Sequence, residues 1–254
     1  MADYPVGRVI GVKVYQNDVV VVREEMGLPI GGARRAEVTE FSRASRRRLA
    51  FVASNSLVTF RTMLCLTYPR DFPSDGREVK RNLHAFLVWL QRDTGGCWYL
   101  WFLEFQKRGA PHVHILVDWP WPSSRTAQRD FRFRVAMQWY RVVGSGDSRH
   151  LAAGTSCERI RSKTGTARYA VKYASKMQQK WVPAGYRNVG RFWGCSRAVV
   201  PPVPETVQCT EDDIRGLLEG WEYAPDAKRL LYRVLYNQAD RLRAWLNGTL
   251  DKSG

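Results

Sequence analysis

The chain has 254 residues, with 40 Lys and Arg against 24 Asp and Glu, a formal net charge of +16. Hydrophobic content of 44% and charged content of 25% exclude general disorder and allow a sizeable core, while the longest apolar runs, such as 97–103, are too short to span a bilayer. Five cysteines at 65, 97, 157, 195 and 209 never form a C-x-x-C pair, which excludes a zinc finger and a disulfide framework and points to reduced thiols in a cytosol.

Two β-branched-rich runs, Arg8–Tyr15 and Asp18–Arg23, flank Gln16-Asn17 and predict a hairpin. A loop follows at 27–32. Residues 34–48 then carry Arg34, Arg35, Arg43, Arg46, Arg47 and Arg48, a density that reads as a phosphate-binding face, and Ser42 is placed to cap a helix there. Residues 57–68 predict a strand ending at Pro69 and a turn containing Pro73 and Gly76. Leu83, Phe86, Leu87 and Leu90 recur at helical spacing within 77–92. Two strands follow at 97–106 and 110–117, and Trp119-Pro120-Trp121-Pro122 leads into a helix near 128–143. Both tryptophans suit base stacking or core packing equally. A short strand at 155–160, a helix near 166–179 and two tail helices complete the order. Thr210 and Asp213 make a capping-box start for the first tail helix, and the second runs from about Asp226 to Leu246 with Gly248 as its stop. Strands interspersed with separate helices predict an α+β fold around an antiparallel sheet. No Walker-type phosphate loop is present in the sequence. The positive surplus and ten tryptophans suit single-stranded nucleic acid, because cations hold phosphate while rings stack on bases.

The richest stretch is Leu103-Glu104-Phe105-Gln106-Lys107-Arg108-Gly109-Ala110-Pro111-His112-Val113-His114. On a strand His112 and His114 project to one face, and Val113, Ile115 and Val117 make a core face on the other. Three-residue hairpin loops favour Gly at the last, left-handed position. A Lys107-Arg108-Gly109 loop therefore sets Gln106 opposite Ala110 and Glu104 opposite His112. Opposed Cβ atoms stand about 4.5–5.5 Å apart, so two imidazoles and a carboxylate converge on one divalent cation. Such a set suits Mg, Mn, Fe or Zn and does not choose among them. The plain alternative is a pair of hydrogen-bonded histidines lining a sheet. His84 and His150 lack this context and read as structural or solvent-facing.

At about 100° per residue, Tyr169, Lys172, Tyr173 and Lys176 share one helix face, and Ala170, Val171, Ala174 and Met177 supply the buried stripe. Tyrosine, with a free pKa of about 10, becomes a useful nucleophile when a cation stabilises its phenolate or a metal polarises the electrophile. Lys172 and Lys176 stand where they would neutralise phosphate charge and assist proton transfer. A metal with open positions beside a Tyr/Lys helix points to phosphodiester transesterification, with the protein as covalent acceptor. Stacking of DNA bases is the non-catalytic reading of the same rings.

Three motifs in this order resemble the HUH endonuclease superfamily, specifically the replication initiators of rolling-circle phages and plasmids. Leu64-Cys65-Leu66-Thr67-Tyr68-Pro69 resembles the first motif, Pro111-His112-Val113-His114 the second, and Tyr169-x-x-Lys172-Tyr173-x-x-Lys176 the third in its two-tyrosine form. The resemblance covers about residues 57–200. It implies a five-stranded antiparallel sheet flanked by helices, with Glu104, His112 and His114 holding one Mg or Mn ion opposite the tyrosine helix. It further implies site-specific nicking of one origin strand, a 5′-phosphotyrosine bond and a free 3′-OH primer. Tyr173 matches the nucleophile of single-tyrosine relatives, and Tyr169 adds the second attack. Thr67, Lys107 and Arg108 beside the site, with Arg43, Arg46, Arg47 and Arg48, make up the expected DNA-contacting set.

On this reading residues 56–200 form the nicking-joining domain, residues 1–55 an N-terminal hairpin and Arg-rich segment, and residues 201–254 a C-terminal helical extension. The partners implied are single-stranded origin DNA, a host helicase and a DNA polymerase in a bacterial or archaeal cytosol, with no membrane. Oligomeric state is open, since the long tail helix could pair with itself. Competing readings are a single-strand transposase with the same chemistry, a metallonuclease that activates water, and a non-catalytic DNA-binding module.

Overall fold

The computed structural model describes residues 9–22, 38–161, 181–210, 213 and 232–249. In chain order these give β1 (Val9–Val14), β2 (Val19–Val22), α1 (Arg43–Asn55), β3 (Thr62–Thr67), α2 (Gly76–Asp93), β4 (Tyr99–Phe105), β5 (Pro111–Val117), α3 (Arg125–Val143) and α4 (Ser148–Ala153). They continue with β6 (Thr155–Arg159), β7 (Trp193–Cys195), β8 (Glu205–Thr210), β9 (Tyr232–Leu235) and α5 (Ala239–Leu246). The chain divides into two compact units, one of Met1–Arg34, Ser54–Leu57 and Pro201–Gly254, the other of Arg35–Ala53 and Val58–Val200.

The second unit has the predicted α+β architecture. Its five-stranded sheet runs β6-β3-β5-β4-β7, and every neighbouring pair is antiparallel. The register aligns Leu64, Ile115 and Trp101 in one row and Cys65, His114 and Phe102 in the next. Side chains alternate across a strand, so these two rows occupy opposite faces. The first face meets α2 and α3, whose buried Leu83, Phe86, Leu90, Phe131, Val135 and Trp139 share its core; their spacings of three and four are those of an amphipathic helix. Gly76 lets α2 start tight against the following chain, since a Cβ there would lie 2.3 Å from the Asn188 carbonyl oxygen. The second face meets α1: Trp193, opposite Phe102, donates its Nε1–H to Ser45 Oγ at 3.1 Å. Ser42 caps α1, its Oγ accepting from the Ser45 N–H at 3.3 Å.

The first unit is a four-stranded sheet of order β8-β1-β2-β9. Val12, Val14, Val19, Val21, Cys209, Leu235, Ala239 and Leu242 form its core. Fully buried Asp18 accepts from Asn55 Nδ2 at 2.7 Å and from the Asn237 N–H at 3.0 Å, although burial still holds its carboxyl above the usual range. The capping box is present: Asp213 N–H donates to Thr210 Oγ1 at 3.1 Å and Thr210 N–H to Asp213 Oδ2 at 3.2 Å.

The tail departs from the sequence reading in two respects: residues 205–210, read as part of a helical extension, form strand β8 paired with β1, and the second tail helix is interrupted. In place of a continuous helix ending at Leu246, the chain forms strand β9, paired with β2, and the eight-residue α5. Asn237 separates them in the left-handed region, at φ 57°, which no helix can pass through. A long tail helix able to pair with itself is therefore absent among the described residues. The predicted helix near 166–179 lies outside the described residues.

Lys80 sets a testable cost in the second unit. Its Nζ lies 4.5 Å from the centre of the Trp101 ring and has no hydrogen-bond partner among the described residues. Burial pulls its pKa down from the ordinary lysine value to about 7. Between that value and the ordinary one the unfolded chain binds more protons than the folded chain, so this group makes stability rise with pH across that window. Lys80→Met is expected to stabilise the protein at about pH 6, by about 1 kcal/mol or more, with the gain shrinking from about pH 7 to pH 10 in urea unfolding. A gain independent of pH would contradict this.

Candidate metal centre

The centre is built by the pairing of three strands. Gly109, at φ 81°, closes a three-residue loop in which the Gln106 N–H donates to the Ala110 oxygen at 2.9 Å and the Gly109 N–H to the Gln106 oxygen at 2.8 Å. Glu104 consequently stands opposite His112, the register that the loop predicts. On the other side of β5, β3 brings Cys65 opposite His114 and Thr67 opposite His112.

The side chains then meet. Cys65 Sγ is 3.1 Å from His114 Nδ1, His114 Nε2 is 3.2 Å from Glu104 Oε2, and Thr67 Oγ1 is 2.8 Å from His112 Nδ1. One ligand atom each from Cys65, His112 and His114 lie within 4.8 Å of one another. Cys65, Glu104 and His114 are buried, and His112 and Thr67 are half-buried. Phe102 stacks on the His114 ring with centroids 4.8 Å apart, and the two imidazoles meet edge to face at 4.5 Å. Burial disfavours the His114 cation, but hydrogen bonds to Cys65 and Glu104 outweigh it and raise the pKa to about 9.

Thr67 is fixed from behind. Its carbonyl oxygen accepts from Trp139 Nε1–H at 2.8 Å and lies 2.9 Å from His150 Nε2, and its N–H donates to the Gly154 oxygen at 2.8 Å. His150 is therefore a structural residue, and His84 is exposed. Arg108 reaches across from the hairpin, donating to the carbonyl oxygens of Tyr68 at 2.6 Å and Pro69 at 2.7 Å, with its guanidinium over the Phe72 ring. It ties the chain that follows Thr67 to the loop that follows Glu104.

The remaining expected site residues are dispersed. Lys107 is exposed at the loop tip; Arg43, Arg47 and Arg48 are exposed on α1, and half-buried Arg46 donates Nε–H to the Phe41 oxygen at 2.9 Å. Trp119 and Trp121 are half-buried against Phe131. Tyr169, Lys172, Tyr173 and Lys176 lie outside the described residues. The cluster has the donors to hold one metal ion. A thiol and two imidazoles suit a transition metal better than Mg, which prefers an oxygen octahedron. Cys65 is the member that sequence reasoning does not place among the ligands. Its alternation with Leu64 and Leu66 is visible, but its partner lies 49 residues away, across a pairing that no local pattern sets.

Fold and site together define an α+β domain with a thiol–imidazole cluster on an antiparallel sheet. Residues 61–178 match the family model described as Replication-associated protein ORF2, a span just under half of the chain that holds every residue of the cluster and also Tyr169 and Tyr173. No curated protein and no solved structure matches the chain.

Trp139 tests how Thr67 is held. Trp139→Ala removes a buried side chain and is expected to cost about 3–5 kcal/mol in urea unfolding. Trp139→Phe retains most of the volume while His150 still reaches the Thr67 carbonyl, so it should cost only about 1–2 kcal/mol. Equal losses would show that the indole N–H, rather than the packing, dominates.

Proposed function

We propose that the chain is a rolling-circle replication initiator that nicks and joins single-stranded origin DNA by tyrosine attack. The observation that carries this reading is the cluster of Cys65, His112 and His114 on β3 and β5 inside the span that resembles a replication-associated family, with the Tyr169/Tyr173 pair at the end of the same span. Support also comes from the surplus of basic residues and from the exposed arginines of α1, which packs on the same face of the sheet as the cluster.

Cys65, His112 and His114 would hold a divalent ion, with Glu104 beside them. Such an ion supplies Lewis-acid polarisation of the scissile phosphate and stabilises its developing charge. The Tyr173 phenolic oxygen attacks phosphorus, the bond from phosphorus to the 3′ oxygen breaks, and the departing oxygen takes a proton to become a 3′-OH. The 5′ side stays esterified to Tyr173. Lys172 and Lys176 neutralise phosphate charge and move the phenolic proton. Joining is the reverse attack by a 3′-OH, and Tyr169 serves the second cleavage when the origin is regenerated. Thr67 and Lys107 border the strand path, and the 3′-OH would be extended by a host polymerase behind a host helicase.

The test is covalent capture. With MnCl2 and single-stranded DNA from its own replicon, the protein is expected to give an adduct stable on denaturing gels. Tyr173→Phe should lower the first-cleavage adduct by at least about 100-fold, and His112→Ala should do likewise. Tyr169→Phe should preserve first cleavage and block the second. Cleavage without an adduct would mean a water-using metallonuclease. Tight binding with neither cleavage nor adduct, on DNA containing the origin, would sink the proposal and leave a DNA-binding module.

A further inference from the structure

We propose that the solvent face of α3, together with Arg159 of β6, is a second site for single-stranded DNA, on the face of the five-stranded sheet opposite the metal centre. It is separate from the basic residues of α1 and from Thr67, Lys107 and Arg108, and binding there does not depend on cleavage.

The residues come from one helix stripe and one strand. Arg125, Arg129, Arg132 and Phe133 fall at i, i+4, i+7 and i+8, which is one side of a helix, and all four are exposed. Buried Phe131, Val135 and Trp139 hold the other side of α3 against the sheet. The helix packs along β6, an edge strand among the described residues. Leu64 stands opposite Cys157 and Thr62 opposite Arg159, so Arg159 projects to the side that α3 covers, and it is exposed. Arg132 lies near enough to β6 for its charge to oppose the upward shift that burial imposes on the Cys157 thiol. Glu158, opposite Met63, projects to the other side of the sheet.

Charge and exposure together point to a polyanion with base faces to offer. Helix α3 carries five arginines and a single acid, Asp130, which lies 3.9 Å from Arg129 with both side chains well exposed, a pairing that contributes little. Like charges one turn apart repel in the free helix, and no ion pair neutralises Arg125, Arg132 or Arg159 among the described residues. Arg134, on another side of the same helix, shows the contrast: it donates to both Asp93 carboxylate oxygens at 2.6 Å. The phosphates of a bound strand would cancel the repulsion on the arginine stripe and release their own counterions. The aromatic part of the face selects single strands. Phe133, beside the arginines, is 58% exposed, and the Trp121 ring carries the Arg132 guanidinium at 5.4 Å, which holds that charge at the surface. An unpaired strand presents base faces to a ring such as Phe133, whereas a duplex keeps them stacked inside.

The experiment measures binding of the full chain, in EDTA so that no metal-dependent cleavage intervenes, to a fluorescein-labelled single strand of mixed sequence, by anisotropy over a range of salt concentrations. Arg125→Ala, Arg129→Ala, Arg132→Ala and Arg159→Ala combined should lower the slope of log affinity against log salt by about 3, from four phosphate contacts at about 0.7 each. Phe133→Ala should leave the slope unchanged and weaken binding about 5-fold or more. A bromouracil-substituted strand should photocrosslink within residues 125–143. Circular dichroism checks that each variant is folded, and should the fourfold variant fail to fold, Phe133→Ala and the crosslink decide. An unchanged slope in the folded fourfold variant, full affinity in Phe133→Ala, or crosslinks confined to other segments would each overturn the proposal. Competition by duplex DNA as strong as that by an equal length of single strand would overturn the single-strand assignment and leave a contact for duplex backbone. No cleavage is read in these measurements, so the absence of a covalent adduct would sink the proposed function and leave this inference standing.

Discussion

Everything at the centre depends on the register of β5 against its two neighbours. Because side chains alternate with a period of two, a slip of one residue would turn His112 and His114 into the core and Val113 and Ile115 out of it. Two devices oppose that slip. On one side Gly109 adopts a left-handed conformation that closes the loop after three residues. On the other, Leu64 and Leu66 of β3 are fully buried on the face shared with Val113 and Ile115. Burying an aliphatic side chain contributes about 1.5–3 kcal/mol, so four such residues bind the register far more strongly than any hydrogen bond in the polar cluster. The apolar face of the sheet thus specifies the polar one.

The same division explains what can be read from the chain. The β4–β5 hairpin, helix α2, helix α3 and the Ser42 and Thr210 caps rest on neighbours a few residues apart, and local pattern locates all of them. Strand β9 stays hidden because Val234 and Leu235, with Leu230 and Leu231 before them in the sequence, fit a helical period as well as a buried strand. Pairing with β2 decides between the two. Strand β7, of three residues, is too short to show any period. Cys65 reads as part of a motif, but its meeting with His114 is a product of strand pairing between distant segments.

The polar groups near the sheet show two ways of managing burial. Glu104, His114 and Cys65 satisfy one another in a chain of contacts, as do Asp18, Asn55 and Asn237 in the other unit. Lys80 has only an aromatic face among the described residues, and its charge is correspondingly disfavoured. A fully partnered buried network holds one geometry sharply, whereas an isolated buried charge is a liability. The centre belongs to the first kind, and Arg108, by bridging the chain after Thr67 to the hairpin, extends that rigidity to its rim.

The four-stranded sheet imposes an order on the birth of the protein. Its β1 pairs with β8, Val9 standing opposite Thr210, and its β2 with β9, so β1 and β2 leave the ribosome about 200 residues ahead of their flanking partners. At typical elongation rates that is a wait of roughly 10–40 s. During it, the β1–β2 hairpin has both edges open, and its valines are those most able to pair with a neighbouring nascent chain. The intervening segment supplies a sheet whose strands pair among themselves, so that unit can finish first. The four-stranded sheet can therefore be completed only once the last of its strands, β9, has been made.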